Sequence, residues 1–356
     1  MIETNDLQPG FFHLHRGDVL DVYAKWPSPD LIMVDGPYGI GGFFGDPRTP
    51  EPLAEFYKPH IRRWTQHSKV STTLWFWCTE IGWANVHPLL HAMGWDYVQT
   101  IHWDKGIRHV AGNVNGKSIR RFPIVNEICV FYSRRLEFEV DGSPVSAKYW
   151  LRNEWIRTGL PLKQANEACG VKDAASRKYL DTGWLWYFPP SEMMQRLVDW
   201  ANTHGDPAGR PYFSLDGKRP LTGAEWSGFR YQWNHEHGLT NVWQEPPLHG
   251  KERIRSVGRR QAPRVYKPKP GQASAHLNQK PLKLMRRILT AATQKGDVVW
   301  EPFGGLASAA VAGVALKRRP FVAEIDEVFA DIAHERLLSA QAEIRNKRPG
   351  QPQFDL

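Results

Sequence analysis

Cysteine is scarce: Cys78, Cys129 and Cys169 are the only three in 356 residues, odd in number and never in a CxxC spacing. That excludes a disulfide framework and a zinc ribbon, and no metal is expected. No apolar run approaches the roughly 18 residues needed to cross a bilayer. The opening MIETNDLQPG lacks the basic and apolar regions of a secretory signal. There is no Gly-Lys-Ser/Thr, so a phosphate-cradling P-loop is not expected. Internal repeats and sustained low complexity are also missing. These absences point to a reducing, cytoplasmic setting away from membranes. Aromatic residues, by contrast, are plentiful, with 16 Trp, 11 Tyr and 16 Phe in a chain that is 41% hydrophobic and 23% charged. Such a composition supports a large packed core, and at roughly 100 to 200 residues per domain the length suggests two domains or one with an insertion.

The formal charge of +9 is unevenly spread. Between Lys251 and Lys280 nine basic residues face one acid, Glu252, a local excess of eight. The stretch is rich in Gly, Pro and Ser and reads as a loop, where basic side chains follow phosphates and release counterions. A second acid-free run holds Lys105, Arg108, Lys117, Arg120 and Arg121.

Up to about residue 132 the pattern alternates between strand and helix. Leu31–Val34 is a short apolar run that breaks at Asp35-Gly36-Pro37-Tyr38-Gly39, and Thr73–Cys78, Tyr97–Trp103 and Glu127–Tyr132 read as further buried strands. Helices are predicted around Leu53–His67 and Ile81–Met93. From about 135 to 275 the texture changes to Trp, Pro, Gly and charge, with a helical part from Leu160 to Thr203. The alternation then returns: a helix over Pro281–Thr293, a strand at Val298–Trp300, a helix through Leu316, a strand at Pro320–Ala323 and a helix to about Ile344. One parallel sheet is therefore split between the chain's two ends, around an insertion.

Two constellations carry chemistry. Ligands of open α/β sheets sit beyond the carboxyl ends of strands, where Asp35-Gly36-Pro37-Tyr38 falls. An exocyclic amine on a heterocycle is a poor nucleophile because its lone pair is delocalised. Acceptance of its N–H groups by Asp35 and the Gly36 carbonyl would turn that lone pair toward an electrophile, and Tyr38 would stack on the base. An ordinary Asp-Gly turn accounts for the pentapeptide equally well. The second constellation is the Glu301-Pro302-Phe303-Gly304-Gly305 turn with Glu324 at the next strand end. Glycines admit a ligand to the backbone at a helix start, and a strand-end acid is placed for ribose hydroxyls.

Together with Gly17-Asp18-Val19-Leu20, Ile101–Gly106, Asn126–Ser133 and Asn278-Gln279-Lys280-Pro281, these segments resemble the S-adenosylmethionine-dependent DNA amino-methyltransferases, with the catalytic motif preceding the cofactor motif. The resemblance covers roughly residues 11–133 and 276–340. It implies a Rossmann-like, mostly parallel seven-stranded methyltransferase sheet with helices on both faces, circularly permuted, with an inserted, largely helical target-recognition region. The corresponding boundaries are 1–134, 135–275 and 276–356. It further implies a cofactor set of Asp18, Asp35, Asn278, Lys280, Glu301, Phe303, Gly304, Gly305, Ala307 and Glu324. In that set Asp18 lies near the adenine, Asn278 and Lys280 near the methionine carboxylate, and Glu324 on the ribose. Two departures stand out. Gly36 replaces the first proline of the usual Asp-Pro-Pro-Tyr, and Ala307 replaces a glycine, which narrows the cofactor space by one methyl and requires a negative φ.

In the insertion, Leu162–Leu180 reads as helix, Gly170 turn, helix. A helix-turn-helix there would carry Lys163 on its first helix and present Lys172, Ser176, Arg177 and Lys178 to DNA, with Arg255, Arg259, Arg260 and Arg264 on the backbone. The alternative is a helical hairpin that only packs. The activity this implies is methylation of adenine N6 in duplex DNA by base flipping. The alternatives are N4-cytosine methylation, a DNA-binding homologue with impaired catalysis, and an RNA methyltransferase. No Pro-Cys dipeptide occurs, so the nucleophile expected for cytosine C5 methylation is missing. Double-stranded DNA is the expected partner, with a second copy of the chain and a cognate restriction enzyme as further expectations. The expected setting is a bacterial or phage-encoded, nucleoid-associated enzyme.

Overall fold

A computed structural model describes residues 11–41, 45–109, 120–250, 252–254 and 278–346. The chain divides into two compact units, residues 1–134 with 231–356, and residues 135–230.

In chain order the larger unit begins with β1 (His13–Arg16), β2 (Leu31–Val34), α1 (Leu53–His67), β3 (Thr73–Cys78), α2 (Glu80–Ala92), β4 (Trp95–Asp104) and β5 (Asn126–Arg134). The smaller unit holds β6 (Glu137–Val140), β7 (Ser143–Ser146), α3 (Ala147–Arg157), α4 (Gln164–Cys169), α5 (Ser191–His204) and α6 (Gly223–Ser227). The larger unit resumes with β8 (Val242–Gln244), α7 (Leu282–Ala292), β9 (Val298–Glu301), α8 (Ser308–Ala315), β10 (Arg319–Glu324) and α9 (Glu327–Asn346).

The sheet runs β1-β10-β9-β2-β3-β5-β4-β8, with β5 antiparallel to both of its neighbours and the other pairings parallel. Among the described residues it has eight strands rather than the expected seven. The extra one is β8, a three-residue strand whose His102↔Val242 register continues the edge beyond β4. Residues 231–250 thus belong to the sheet unit, although their composition groups them with the insertion. The two ends of the chain meet where β2 pairs with β9, Leu31 opposite Val299 and Ile32 opposite Trp300.

Helices cover both faces because strand side chains alternate. On β10, Phe321 and Ala323 join the main core, while Val322 joins a second apolar cluster with Ala310, Val314, Ala333 and Leu337 of α8 and α9. All four residues of β2 and all six of β3 are buried, as a strand sandwiched between helical layers requires. α1 buries Leu53, Tyr57, His60, Ile61 and Trp64, one stripe at helical spacing. Across β3 and β5 the registered pair Trp75 and Phe131 stacks at 4.4 Å between ring centroids.

The smaller unit has its own core of Trp150, Trp155, Phe213 and Trp226. Its β6–β7 hairpin turns at Asp141-Gly142, both at positive φ, the backbone of a two-residue hairpin turn. Its buried Glu154 is paired with Arg157 at 2.8 Å and Arg210 at 2.7 Å and accepts the Phe213 amide at 2.7 Å.

Candidate active site

The carboxyl ends of β1, β2, β9 and β10 open on one cleft of about 1020 Å³. Its lining includes twelve residues expected from sequence: Asp18, Asp35, Gly36, Pro37, Tyr38, Asn278, Lys280, Glu301, Phe303, Gly304, Gly305 and Glu324.

Asp35 follows the last residue of β2, and among the described residues its hydrogen-bond partners act on one oxygen. Lys280 Nζ lies 2.7 Å from Oδ1 and the Tyr38 hydroxyl 2.8 Å from it. Tyr38 is 4% exposed. Its hydroxyl also lies 2.6 Å from Glu127 Oε1 and accepts from Lys280 at 2.9 Å. Tyr38 thus lines the cleft with a largely buried ring and holds Asp35 through its hydroxyl. Lys280 likewise sits on Asp35 and, at 2.8 Å, on Glu127, where the resemblance had pointed it to the methionine carboxylate. Burial disfavours the Lys280 ammonium, but the two carboxylates outweigh it and raise its pKa above the ordinary lysine value. Burial also works against a charged Glu127, yet Lys280 and Lys105 prevail and hold it down at about 2.

The turn after β2 is braced from two sides. Asp46 accepts the amides of Tyr38 at 3.0 Å and Gly39 at 2.8 Å, and the Tyr57 hydroxyl of α1 donates to the Pro37 carbonyl at 2.9 Å. A Cβ on Gly36 would lie 2.6 Å from that hydroxyl and 2.8 Å from the Phe303 ring, so no side chain fits without displacing a neighbour.

In the β9–α8 turn the residue before α8, Ala307, offers no side-chain cap. Glu301 takes that place from the end of β9, accepting the amides of Ala309 at 3.0 Å and Ala310 at 2.7 Å. Burial pushes its carboxyl up to about 8 against the pull of those two amides. Glu324, at the end of β10, accepts from Gly305 at 2.6 Å and Asp326 at 2.8 Å, and burial pushes it up to about 7. These backbone bonds leave part of the acceptor capacity of that carboxylate for a ligand. Asp18 accepts the Leu20 amide at 2.9 Å at the cleft wall.

Ala307 is the exception in the expected cofactor set. Its φ is +55°, not negative, and its methyl is buried in the apolar cluster with Ala310, Val322 and Leu337 rather than among the residues lining the cleft. The backbone reaches the left-handed region there and turns the methyl into the core, so the cleft is not narrowed.

Of the expected helix-turn-helix, α4 and the left-handed Gly170 are present, but the second helix is a single five-residue π turn, Ala175–Tyr179. Lys163, Lys172, Arg177 and Lys178 are exposed. Ser176 is turned inward, donating its amide to Asn166 Oδ1 at 3.0 Å and accepting the Asn166 amide group at 2.9 Å. Arg255, Arg259, Arg260 and Arg264 lie outside the described residues. Among the described residues no group of three His, Cys, Asp or Glu side chains is placed to hold a metal, and no helix is long and apolar enough to cross a membrane.

Sequence reasoning missed Glu127, Lys105, Asp46 and Tyr57. Glu127 reads from sequence as a strand residue, and it lies 89 residues from Tyr38. The one available signal was an acid opening an otherwise apolar strand, next to Asn126.

The family model described as DNA methylase, that of the N6/N4 methyltransferases, matches residues 29–335. The chain is 23% identical over 340 residues to the type II methyltransferase M.BglII of Bacillus subtilis, covering 94% of this chain and 71% of that protein. A stretch of 72 residues is 33% identical to the type II methyltransferase M2.MboI of Moraxella bovis, 20% of this chain and 26% of that protein. Among solved structures it is similar to the M1.HpyAVI–SAM complex, with a TM-score of 0.49, 12% identity, and 92% and 99% of the two chains covered. It is also similar to the cytosine-N4-specific PvuII DNA methyltransferase, with a TM-score of 0.47, 11% identity and 96% of each chain covered.

Proposed function

The chain belongs to the N6/N4 family of DNA methyltransferases, which use S-adenosylmethionine, and from that premise we propose that it methylates the exocyclic N6 of adenine in duplex DNA. The observation that carries this reading is the arrangement of Asp35. Among the described residues its partners are all on Oδ1, at the floor of a cleft that also holds Glu324 and a bare glycine turn. Oδ2 and the Gly36 carbonyl are then the acceptors for the two N–H bonds of an amine.

The cleft suits the cofactor. A volume of about 1020 Å³ is at the upper end of the range of about 300–1,000 Å³ for small-molecule sites, space for a nucleoside cofactor and a base side by side. Gly304 lets the turn pack tightly on β10, where a Cβ would meet Val322 at 2.6 Å. Glu324 accepts the ribose hydroxyls with its remaining lone pairs, and Asp18 and Asn278 border the rest of the cleft. When bound, the cofactor supplies a methyl group on a sulfonium. Asp35 and Gly36 draw the amine N–H bonds into place and so free its lone pair, which is catalysis by orientation and fixed electrostatics. A base reaches such a recessed carboxylate only after leaving the duplex, at a cost of a few kcal/mol in stacking and pairing. Lys163, Lys172, Arg177 and Lys178 of the smaller unit, with the basic stretch 255–269, are proposed contacts to that duplex. A second copy of the chain and a restriction enzyme remain proposed partners.

The test is incubation of the protein with methyl-labelled cofactor and DNA, followed by identification of the labelled nucleoside. Label in N6-methyladenine supports the proposal. Label in N4-methylcytosine overturns the adenine assignment, and label on RNA alone overturns the substrate. Asp35→Asn is expected to lower transfer by at least about 10³-fold while cofactor affinity, read by calorimetry, stays within a few-fold. Unchanged turnover would refute the role of Asp35.

A further inference from the structure

Behind Asp35 lies more charge than one carboxylate needs. Lys105, Glu127, Lys280 and Asp35 form a chain of alternating sign, joined at 2.8, 2.8 and 2.7 Å. Each ammonium has three protons. The closest oxygens to Lys280 Nζ are Asp35 Oδ1, Glu127 Oε1 and the Tyr38 hydroxyl, with the Asn278 carbonyl farther off at 3.5 Å. Tyr38 has a single proton for two carboxylates, Asp35 at 2.8 Å and Glu127 at 2.6 Å. The state of Glu127 therefore decides what Lys280 and Tyr38 give to Asp35. A buried ion cluster is a poor device for stability, since well-packed apolar side chains serve as well or better. This one abuts the cleft, with Lys280 only 2% exposed between the rings of Tyr38 and Trp77.

We propose that Glu127 is a positioning residue for methyl transfer: through Lys280 and Tyr38 it fixes Asp35 so that Oδ2 faces the substrate amine, with Lys105 anchoring the far end. The inference rests on the amino-methylation reading above. Its mark is in the pH profile. The groups facing Lys280 are Asp35 and Tyr38 from the turn after β2, Trp77 from β3, and Glu127 and Cys129 from β5, with Lys105 behind Glu127. Without the Glu127 charge, Lys280 keeps one carboxylate in a buried site and gives up its proton at lower pH.

The experiment is single-turnover methyl transfer from about pH 6 to 10 for the wild type, Glu127→Gln and Glu127→Asp, with cofactor affinity by calorimetry and folding by circular dichroism. Glu127→Gln is expected to fold, to bind cofactor within about threefold of the wild type, and to transfer at least about 10²-fold more slowly. Its rate should also fall on the alkaline side, where the wild type stays level, and Glu127→Asp should recover part of both. A rate within threefold of the wild type, or a loss equal at every pH, overturns the proposal. Should Glu127→Gln not fold, Lys105→Met removes only the outer anchor and leaves Lys280 both of its carboxylates; a roughly tenfold loss with a level alkaline profile supports the proposal, and a wild-type rate overturns it. No transfer by the wild type itself would remove the amino-methylation reading and this inference with it, an outcome distinct from a loss confined to the variants.

Discussion

A side chain at position 36 has to compete with the Tyr57 hydroxyl, itself fixed on the Pro37 carbonyl, and with the Phe303 ring, which packs against Phe56, Tyr57 and His60. Restoring the family's usual proline is therefore expected to damage this enzyme. Gly36→Pro should cost about 1–3 kcal/mol in denaturant unfolding, the range for an overpacked site, and Tyr57→Phe in the same chain should return part of it by clearing the 2.6 Å contact. A Gly36→Pro protein as stable as the wild type would show that the turn opens freely. At Ala307 the magnitudes nearly cancel. The left-handed backbone costs an alanine about 1–2 kcal/mol. Glycine would recover that but lose a buried methyl, about 0.8 kcal/mol, and about 0.4–1 kcal/mol of advantage in the unfolded chain. Ala307→Gly should thus shift stability by less than about 1 kcal/mol, while Ala307→Val, β-branched at positive φ in a packed cluster, should lose about 2–4 kcal/mol. At this scale the sequence was legible where a residue's role is local. Asp35 and Glu324 are strand-end acids beside glycine turns, and both line the cleft. Glu127 and Lys105 were not legible as site residues, because Lys105 reaches the site only through Glu127, whose other partner, Lys280, arrives from about 150 positions downstream, and only the sheet topology brings them together.

Between β9 and α8 the chain solves a capping problem with a residue eight positions away. Glu301 closes the first turn of α8 in place of Ala307, and the arrangement gives the element a pH signature. The Glu301 carboxyl is raised from its ordinary value near 4.5 to about 8 in the folded protein. A raised folded value means that the native state binds more protons than the unfolded chain, so the stability this group contributes is full below about pH 4.5 and drains away as pH rises through 8. Glu324, raised to about 7, adds in the same direction over a narrower window. Unfolding free energy should accordingly fall between pH 5 and 8, and Glu301→Gln should flatten that fall, losing stability relative to the wild type at pH 5 and regaining it at pH 9. Parallel curves for the two proteins would remove the assignment. Elements were readable in proportion to their length and burial. Leu53–His67 and Thr73–Cys78 match the apolar pattern end to end because the apolar stripe of the first and both faces of the second have definite neighbours. β1 and β8 escaped notice because four and three residues carry too little periodicity, and both lie at sheet edges where polar side chains interrupt it. The β6–β7 hairpin had a readable cue in Asp141-Gly142, but its strands, Glu137–Val140 and Ser143–Ser146, are half polar.

For the whole molecule the question is where a charge of +9 acts. The excess of eight between Lys251 and Lys280 leaves an excess of one for the rest of the chain. The structure takes Lys280 out of any phosphate-facing set, since it is buried and paired with two carboxylates. Glu252 is likewise engaged within the protein, accepting the Leu282 amide at the start of α7, and Arg253 donates to the Leu248 carbonyl. What is left for DNA is Lys251 and the run from Arg255 to Lys269, the latter six basic residues without an acid. Neutralised phosphates release counterions, and each such contact steepens the fall of log K with log salt by about 0.9. Replacing Arg255, Arg259, Arg260 and Arg264 together with alanine should reduce that slope by about 3 to 4 if all four meet phosphates, with cofactor affinity unchanged because the cleft keeps all its residues. The same substitution should weaken binding to every DNA sequence alike, since phosphate contacts position without reading bases. Equilibrium DNA binding across a salt series checks both. An unchanged slope would move the electrostatic footprint to the smaller unit, where Lys172→Ala with Lys178→Ala is the parallel experiment, and a loss confined to one DNA sequence would make these arginines readers of bases.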